Sequence, residues 1–123
     1  MECLTKLFKA LSDQTRLRIF YLLVKAGEEL CICELIAALD IPQYNVSKHM
    51  KELKNAGLVN ERKEGRFVFY SLRKCCDGFS ESIFNAVKGA ENKNLAEDLK
   101  RLKKRLPIRT CKACAAPKPE KKK

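Results

Sequence analysis

Between Pro42 and Leu72 the chain runs without interruption from a helix with one apolar face, through a glycine stop, into a basic two-stranded hairpin, and few folds can use that order. Val46, Met50 and Leu53 share one face at helical spacing, while Gln43, Asn45, Lys48, His49 and Lys51 fall largely elsewhere. Pro42 opens the helix, where a missing N–H costs nothing. Gly57 closes it by tolerating a left-handed cap, onto which Leu58 can fold back. Two runs follow, Leu58 to Lys63 and Arg66 to Leu72, the second alternating Val68, Tyr70 and Leu72. They are joined at Glu64-Gly65, which puts Arg62, Lys63 and Arg66 around the hairpin tip.

The flanking segments read as helices that carry this unit. Leu4, Leu7, Phe8 and Leu11 recur at helical spacing, and Ser12-Asp13 then stops one helix and caps the next. The second helix has a broad stripe of Leu17, Ile19, Phe20, Leu22 and Leu23, which makes it central, and ends at Lys25-Ala26-Gly27. A third is predicted from Leu30, Leu35, Ile36 and Leu39, closing near Asp40-Ile41-Pro42 because proline disfavours helical geometry in the residue before it.

After Cys75-Cys76-Asp77-Gly78 one long helix is predicted from about Phe79 to Leu106, with Leu95, Leu99, Leu102 and Leu106 forming a seam that calls for a partner helix. The fold class is therefore mainly α, in the order helix, helix, helix, helix, strand, strand, helix: a winged helix-turn-helix. Residues 1–106 form that domain, and 107–123 read as a flexible tail carrying cysteine and lysine. A helix fits the major groove with its N-terminal side chains at base edges, and a cationic hairpin can straddle neighbouring phosphates.

Composition agrees with a nucleic-acid partner without selecting it. The formal charge of +11 favours polyanions. A core drawn from 46% hydrophobic residues in a chain of 123 is thin, so an oligomer is expected. No run of about 18 apolar residues occurs and MECLTKLFKALSD lacks the core of a secretory signal, so the expectation is a cytoplasmic protein with no membrane association. Seven cysteines in such a chain point to reduced or metal-bound thiols rather than a disulfide framework.

The segments ELCICEL (Glu29 to Leu35), VSKHMKELKNAGLV (Val46 to Val59) and EGRFVFYSL (Glu64 to Leu72) resemble the ArsR/SmtB family of metal-responsive repressors, and ALSDQTRLRIFYLL (Ala10 to Leu23) resembles its second-helix pattern. The resemblance covers roughly residues 3 to 105. It implies a homodimer formed through the first and last helices that, without ligand, binds double-stranded operator DNA at an inverted repeat and represses transcription. It also implies that the helix with Gln43, Asn45, Ser47, Lys48 and His49 enters the groove. Gln and Asn pair with adenine, whereas Lys48, Lys51, Arg62, Lys63 and Arg66 suit phosphate or guanine. Pro42 stands where the family often has a serine cap, which offsets the start of the reading helix by a residue. His49, the one histidine, reads as a hydrogen-bonding or phosphate-facing residue rather than a metal ligand.

Cys31 and Cys33 are the candidate metal ligands. On an ideal helix they point about 200° apart. They can meet on one ion only if the first turn of the third helix is unwound, at rest or by the ion, which couples the site to the DNA-reading helix. Thiolates select soft ions, and ELCICEL resembles the motif of arsenic- and cadmium-responsive members. The inducer implied is arsenite or antimonite, with cadmium, lead or zinc, or a thiol redox signal, as alternatives.

Trivalent arsenic prefers three thiolates. In the arsenic-responsive pattern the third falls at Ile36, so Cys3, Cys111 or Cys114 is the replacement to consider. Cys75 and Cys76 read as structural or incidental. A catalytic role is not expected: Cys111 and Cys114 form a C-x-x-C in a lysine- and proline-rich tail, with no histidine base outside the reading helix.

Overall fold

Glycines, caps and a proline set most element boundaries in the computed structural model of the chain, which describes residues 2–73 and 78–107, the side chains of 2, 3 and 80 apart. The order is α1 (Glu2–Leu11), α2 (Gln14–Ala26), β1 (Leu30–Cys31), α3 (Ile32–Leu39), α4 (Gln43–Asn55), β2 (Val59–Glu64), β3 (Phe67–Leu72), α5 (Gly78–Lys88) and α6 (Lys93–Arg105). Asp13 caps α2 by accepting the Arg16 N–H at 3.1 Å, and Gly27 closes it in the left-handed region at φ 64°. Gly57, at φ 79°, turns the chain so that Leu58 N–H donates back to the Leu53 carbonyl at 3.1 Å. Pro42 stands just outside α4 as its N-cap, so the reading helix begins at Gln43.

α2 is the central element, as its broad apolar stripe requires. Ile19, Phe20, Leu22 and Leu23 are buried in one core with Leu35 and Leu39 of α3, Val46, Met50 and Leu53 of α4, and Leu95 and Leu102 of α6. Each such side chain contributes about 1.5–3 kcal/mol of burial energy. No helix among the described residues is long and apolar enough to cross a membrane.

Two expectations are corrected. The single helix from Phe79 to Leu106 is two helices, because the chain leaves helical geometry after Lys88 and Asn92 caps a new helix by accepting the N–H groups of Asn94 and Leu95 at 2.8 and 3.4 Å. The leucine seam accordingly finds its partners inside the same chain: Leu95 and Leu102 are buried and Leu99 and Leu106 half-buried, on a helix packed against α3 and α2.

The second correction concerns the third helix, which starts later than its apolar pattern suggests. Leu30 and Cys31 pair antiparallel with Tyr70 and Phe69, making a three-stranded sheet in the order β1-β3-β2. Ladder hydrogen bonds hold these two residues extended, with Cys31 at φ −75° and ψ 149°, and α3 can begin only at Ile32.

α6 is locked to the helical platform by a buried charge. Asp98, 1% exposed, accepts two hydrogen bonds from Arg18 at 2.7 and 2.9 Å and one from Arg101 at 2.7 Å. The same guanidinium groups donate to the Leu39 and Ala38 carbonyls at 3.0 and 2.6 Å, so the C-terminus of α3, where the helix dipole is negative, is capped by cations held from α2 and α6. The segment carrying Cys75 and Cys76, and the tail carrying Cys111 and Cys114, lie outside the described residues, as does the domain division assigned to that tail.

Candidate DNA-reading face and thiol pair

Burial of Val46, Met50 and Leu53 fixes how α4 is rolled and leaves Gln43, Tyr44, Asn45, Lys48 and Lys51 exposed. One groove runs between α4 and the hairpin, lined by Gln43, Tyr44, Ser47, Lys48 and Lys51 on the helix, by Lys63 of β2 and by Arg66 in the turn between β2 and β3. Six of the nine residues expected to meet DNA thus share one surface. Tyr44, absent from that set, is 74% exposed at the second position of α4. Its signal in the sequence was an aromatic residue between two polar ones, Gln43 and Asn45.

The remaining three are placed differently. Asn45 is exposed but is not among the groove's lining residues. His49 is turned toward α2, its Nδ1 3.3 Å from Arg16 Nη1 and 3.8 Å from Asp13, with 14% of its side chain exposed. Arg62 is held by carboxylates on both sides, donating to both Glu29 oxygens at 2.7 and 2.9 Å and to Glu64 at 2.7 Å, and lies 4.6 Å over the Phe69 ring. Those carboxylates raise the pKa of its guanidinium further. Its charge is already matched within the protein.

The thiols of Cys31 and Cys33 lie together because Cys31 stands in extended backbone just before α3. Cys33 Sγ is 3.1 Å from Cys31 Sγ. Because Cys31 belongs to β1 and Cys33 to the first turn of α3, the helical divergence of about 200° does not apply. Of the two routes open to the pair, unwinding at rest or by the ion, the geometry matches the first: the chain is already non-helical at Cys31, and the cause is its pairing with Phe69. Glu34 reaches back to accept the Cys31 N–H at 2.9 Å, which fixes the junction as a helix cap.

Cys31 is fully buried and Cys33 half-buried. Burial, then hydrogen bonding to Cys31, pushes the Cys33 thiol up to about 12, although the Arg105 guanidinium nearby favours its thiolate. Arg105 of α6 donates to Cys33 Sγ at 3.6 Å. Cys33 is therefore protonated near neutral pH, and a ligand that bonds to its sulfur would displace that proton.

Sulfurs 3.1 Å apart can both reach one ion at the bond length of about 2.3 Å usual for zinc and thiolate. Among the described residues no group of three or more His, Cys, Asp or Glu is placed to hold a metal ion. Further ligands would come from elsewhere. The Cys3 side chain and Cys111 and Cys114 lie outside the described residues, and Ile36, where a third helical cysteine would stand, packs against the core.

A reading helix and a basic hairpin mounted on a helical platform define a winged helix-turn-helix DNA-binding protein. Residues 13–61 match the family model described as bacterial regulatory protein, arsR family. The chain is 38% identical over 90 residues to the arsenical resistance operon repressor of Escherichia coli, covering 73% of this chain and 76% of that protein. It is 46% identical over 67 residues to a cadmium resistance regulatory protein CadC homolog of Staphylococcus aureus, covering 54% of each. Among solved structures, HlyU from Vibrio cholerae superposes with a TM-score of 0.61 at 31% identity, covering 70% of this chain and 88% of that one. The chain belongs to the ArsR family of transcriptional regulators.

Proposed function

We propose that the protein is a cytoplasmic, homodimeric repressor that grips an inverted-repeat operator when ligand-free and lets go when trivalent arsenic or antimony engages Cys31 and Cys33. The observation that carries this reading is the pair of thiols 3.1 Å apart at the root of the wing. Cys31 is hydrogen-bonded in register with Phe69 of β3, and Arg62, stacked on that ring, is ion-paired to Glu29 just before β1. A ligand that draws the two sulfurs toward a further donor pulls on β1, hence on the wing, and on the first turn of α3, hence on the turn into α4. The bistable element is the β1–α3 junction rather than an intact helix.

DNA contacts are assigned to Gln43, Ser47, Lys48, Lys51, Lys63 and Arg66, with Asn45 beside them. His49 and Arg62 support the reading surface from behind. Dimerisation is assigned to α1 and the C-terminal helices, where Leu4, Phe8 and Phe79 are 41%, 54% and 41% exposed and Phe8 meets Phe79 edge to face at 6.0 Å. A second copy would take these side chains out of water.

Operator binding measured by fluorescence anisotropy tests the reading. Arsenite is expected to lower the affinity of wild type by 5- to 150-fold, a coupling of about 1–3 kcal/mol. Cys31→Ser and Cys33→Ser are expected to bind the same DNA as tightly and to ignore arsenite. Release by cadmium but not arsenite supports the cadmium reading suggested by the CadC homolog's name. The thiol separation also favours a redox reading, in which peroxide takes two electrons and two protons from the pair, forming the S–S bond and two waters. Release by peroxide alone selects it.

A further inference from the structure

Aromatic side chains in this protein are mostly in the core: Phe20 and Phe69 are fully buried, and Tyr21 and Tyr70 are 5% and 6% exposed. Tyr44, at 74%, is the most exposed large apolar side chain among the described residues. The other three, Leu4, Phe8 and Phe79, lie on α1 and α5, so the surface that joins Phe8 to Phe79 does not account for Tyr44. Among the described residues its ring has no aromatic partner and its hydroxyl no hydrogen bond. Nothing in the fold requires an aromatic residue at that position.

Its surroundings specify what it can meet. Tyr44, Ser47, Lys48 and Lys51 follow at i, i+3, i+4 and i+7, one stripe along α4, and all four line the groove closed on its other side by Lys63 and Arg66. An apolar ring at the N-terminal end of a stripe flanked by four cations matches a polyanion that also offers an apolar mark. Duplex DNA has one such mark on its major-groove edges, the C5-methyl of thymine, which is read by apolar contact rather than by hydrogen bonding.

We propose that Tyr44 is a specificity-determining residue that selects thymine in each half-site, its ring packing on the C5-methyl while the lysines hold phosphate. This rests on the reading that α4 enters the major groove. Gln43 beside it suits an adenine, so the two residues read different bases.

The test is selection from a random duplex pool by the full-length protein, followed by binding of the enriched sequence with each thymine replaced in turn by uracil, which removes only the methyl. Wild type is expected to lose about fourfold affinity for one thymine in each half-site, the effect of withdrawing one methyl from an apolar contact. Tyr44→Ala is expected to bind the thymine and uracil duplexes equally, and Tyr44→Phe to keep the discrimination. If Tyr44→Ala enriches the same motif and still distinguishes uracil, or if Tyr44→Phe loses the discrimination, the assignment is overturned while the role of α4 stands. If wild type enriches no motif at all, both fall.

Discussion

The reading face and the thiol pair belong to the same sheet-and-helix unit yet are built in opposite ways. Around α4 and the wing tip the side chains are long, polar and exposed: Gln43, Lys48, Lys51, Lys63 and Arg66 stand in water. Around Cys31 and Cys33 almost everything is paired or packed, with Phe69 across the strand ladder, Glu34 on the backbone of Cys31 and Arg105 on the sulfur of Cys33. A surface that binds a charged polymer gains from being preformed and hydrated. A site that must move something gains from being embedded, because only packed elements transmit a displacement.

The sharpest way to break the contrast is to disrupt what both regions rest on. Asp98→Ala leaves the guanidinium groups of Arg18 and Arg101 without their buried partner and frees the C-terminal end of α3. Urea unfolding should show a loss of about 3 kcal/mol or more, even with both arginines partly hydrated. A loss under about 1 kcal/mol would mean that α6 is held by leucine packing alone.

Next in size is the effect on the open region. Lys48→Ala with Lys51→Ala should weaken DNA binding on every sequence and flatten the salt dependence by about one unit per phosphate contact removed. The same pair of changes should leave stability within about 0.5 kcal/mol, because both side chains are exposed. A thermal midpoint that moved as much as the DNA affinity would show that this face is structural after all.

Smaller still is Glu29→Gln, which removes the two-pronged hold on Arg62 at the wing root. Stability should change by less than about 1 kcal/mol because Arg62 is half exposed, while the ratio of DNA affinities without and with arsenite should shrink. An unchanged ratio would remove the wing from the route between thiols and DNA.

The mildest effect is on alkaline stability. Cys33 and Tyr70 are held protonated up to about 12, mainly by burial, against ordinary values of 9.0 and 10.0. The folded chain keeps protons that the unfolded chain gives up. Their contribution is complete below pH 9 and is lost as pH rises toward 12. Cys33→Ser should make that loss shallower, and unfolding curves at neutral and alkaline pH check it.

The reading helix was legible because its signals are local. Three apolar residues at helical spacing, Pro42 before them and Gly57 after them leave little freedom, and the predicted hairpin runs lie within a residue of β2 and β3. The break after Lys88 was hidden by four leucines in helical step, although Asn92 is a good cap. Cys31 was misplaced for the opposite reason: Leu30 continues the apolar pattern of α3, and only pairing with a strand about forty residues downstream pulls it out.

The sequence by itself determined the winged helix order, the polar stripe on α4 and the C-x-C spacing, because helix periodicity, caps and turn residues act over a few residues. Tertiary structure alone decided that the two thiols face each other at 3.1 Å, that Arg62 and His49 are engaged within the protein, and that the leucine seam closes on its own chain. Those outcomes depend on contacts between elements distant in sequence, and such contacts are fixed by packing and register after the local elements have formed.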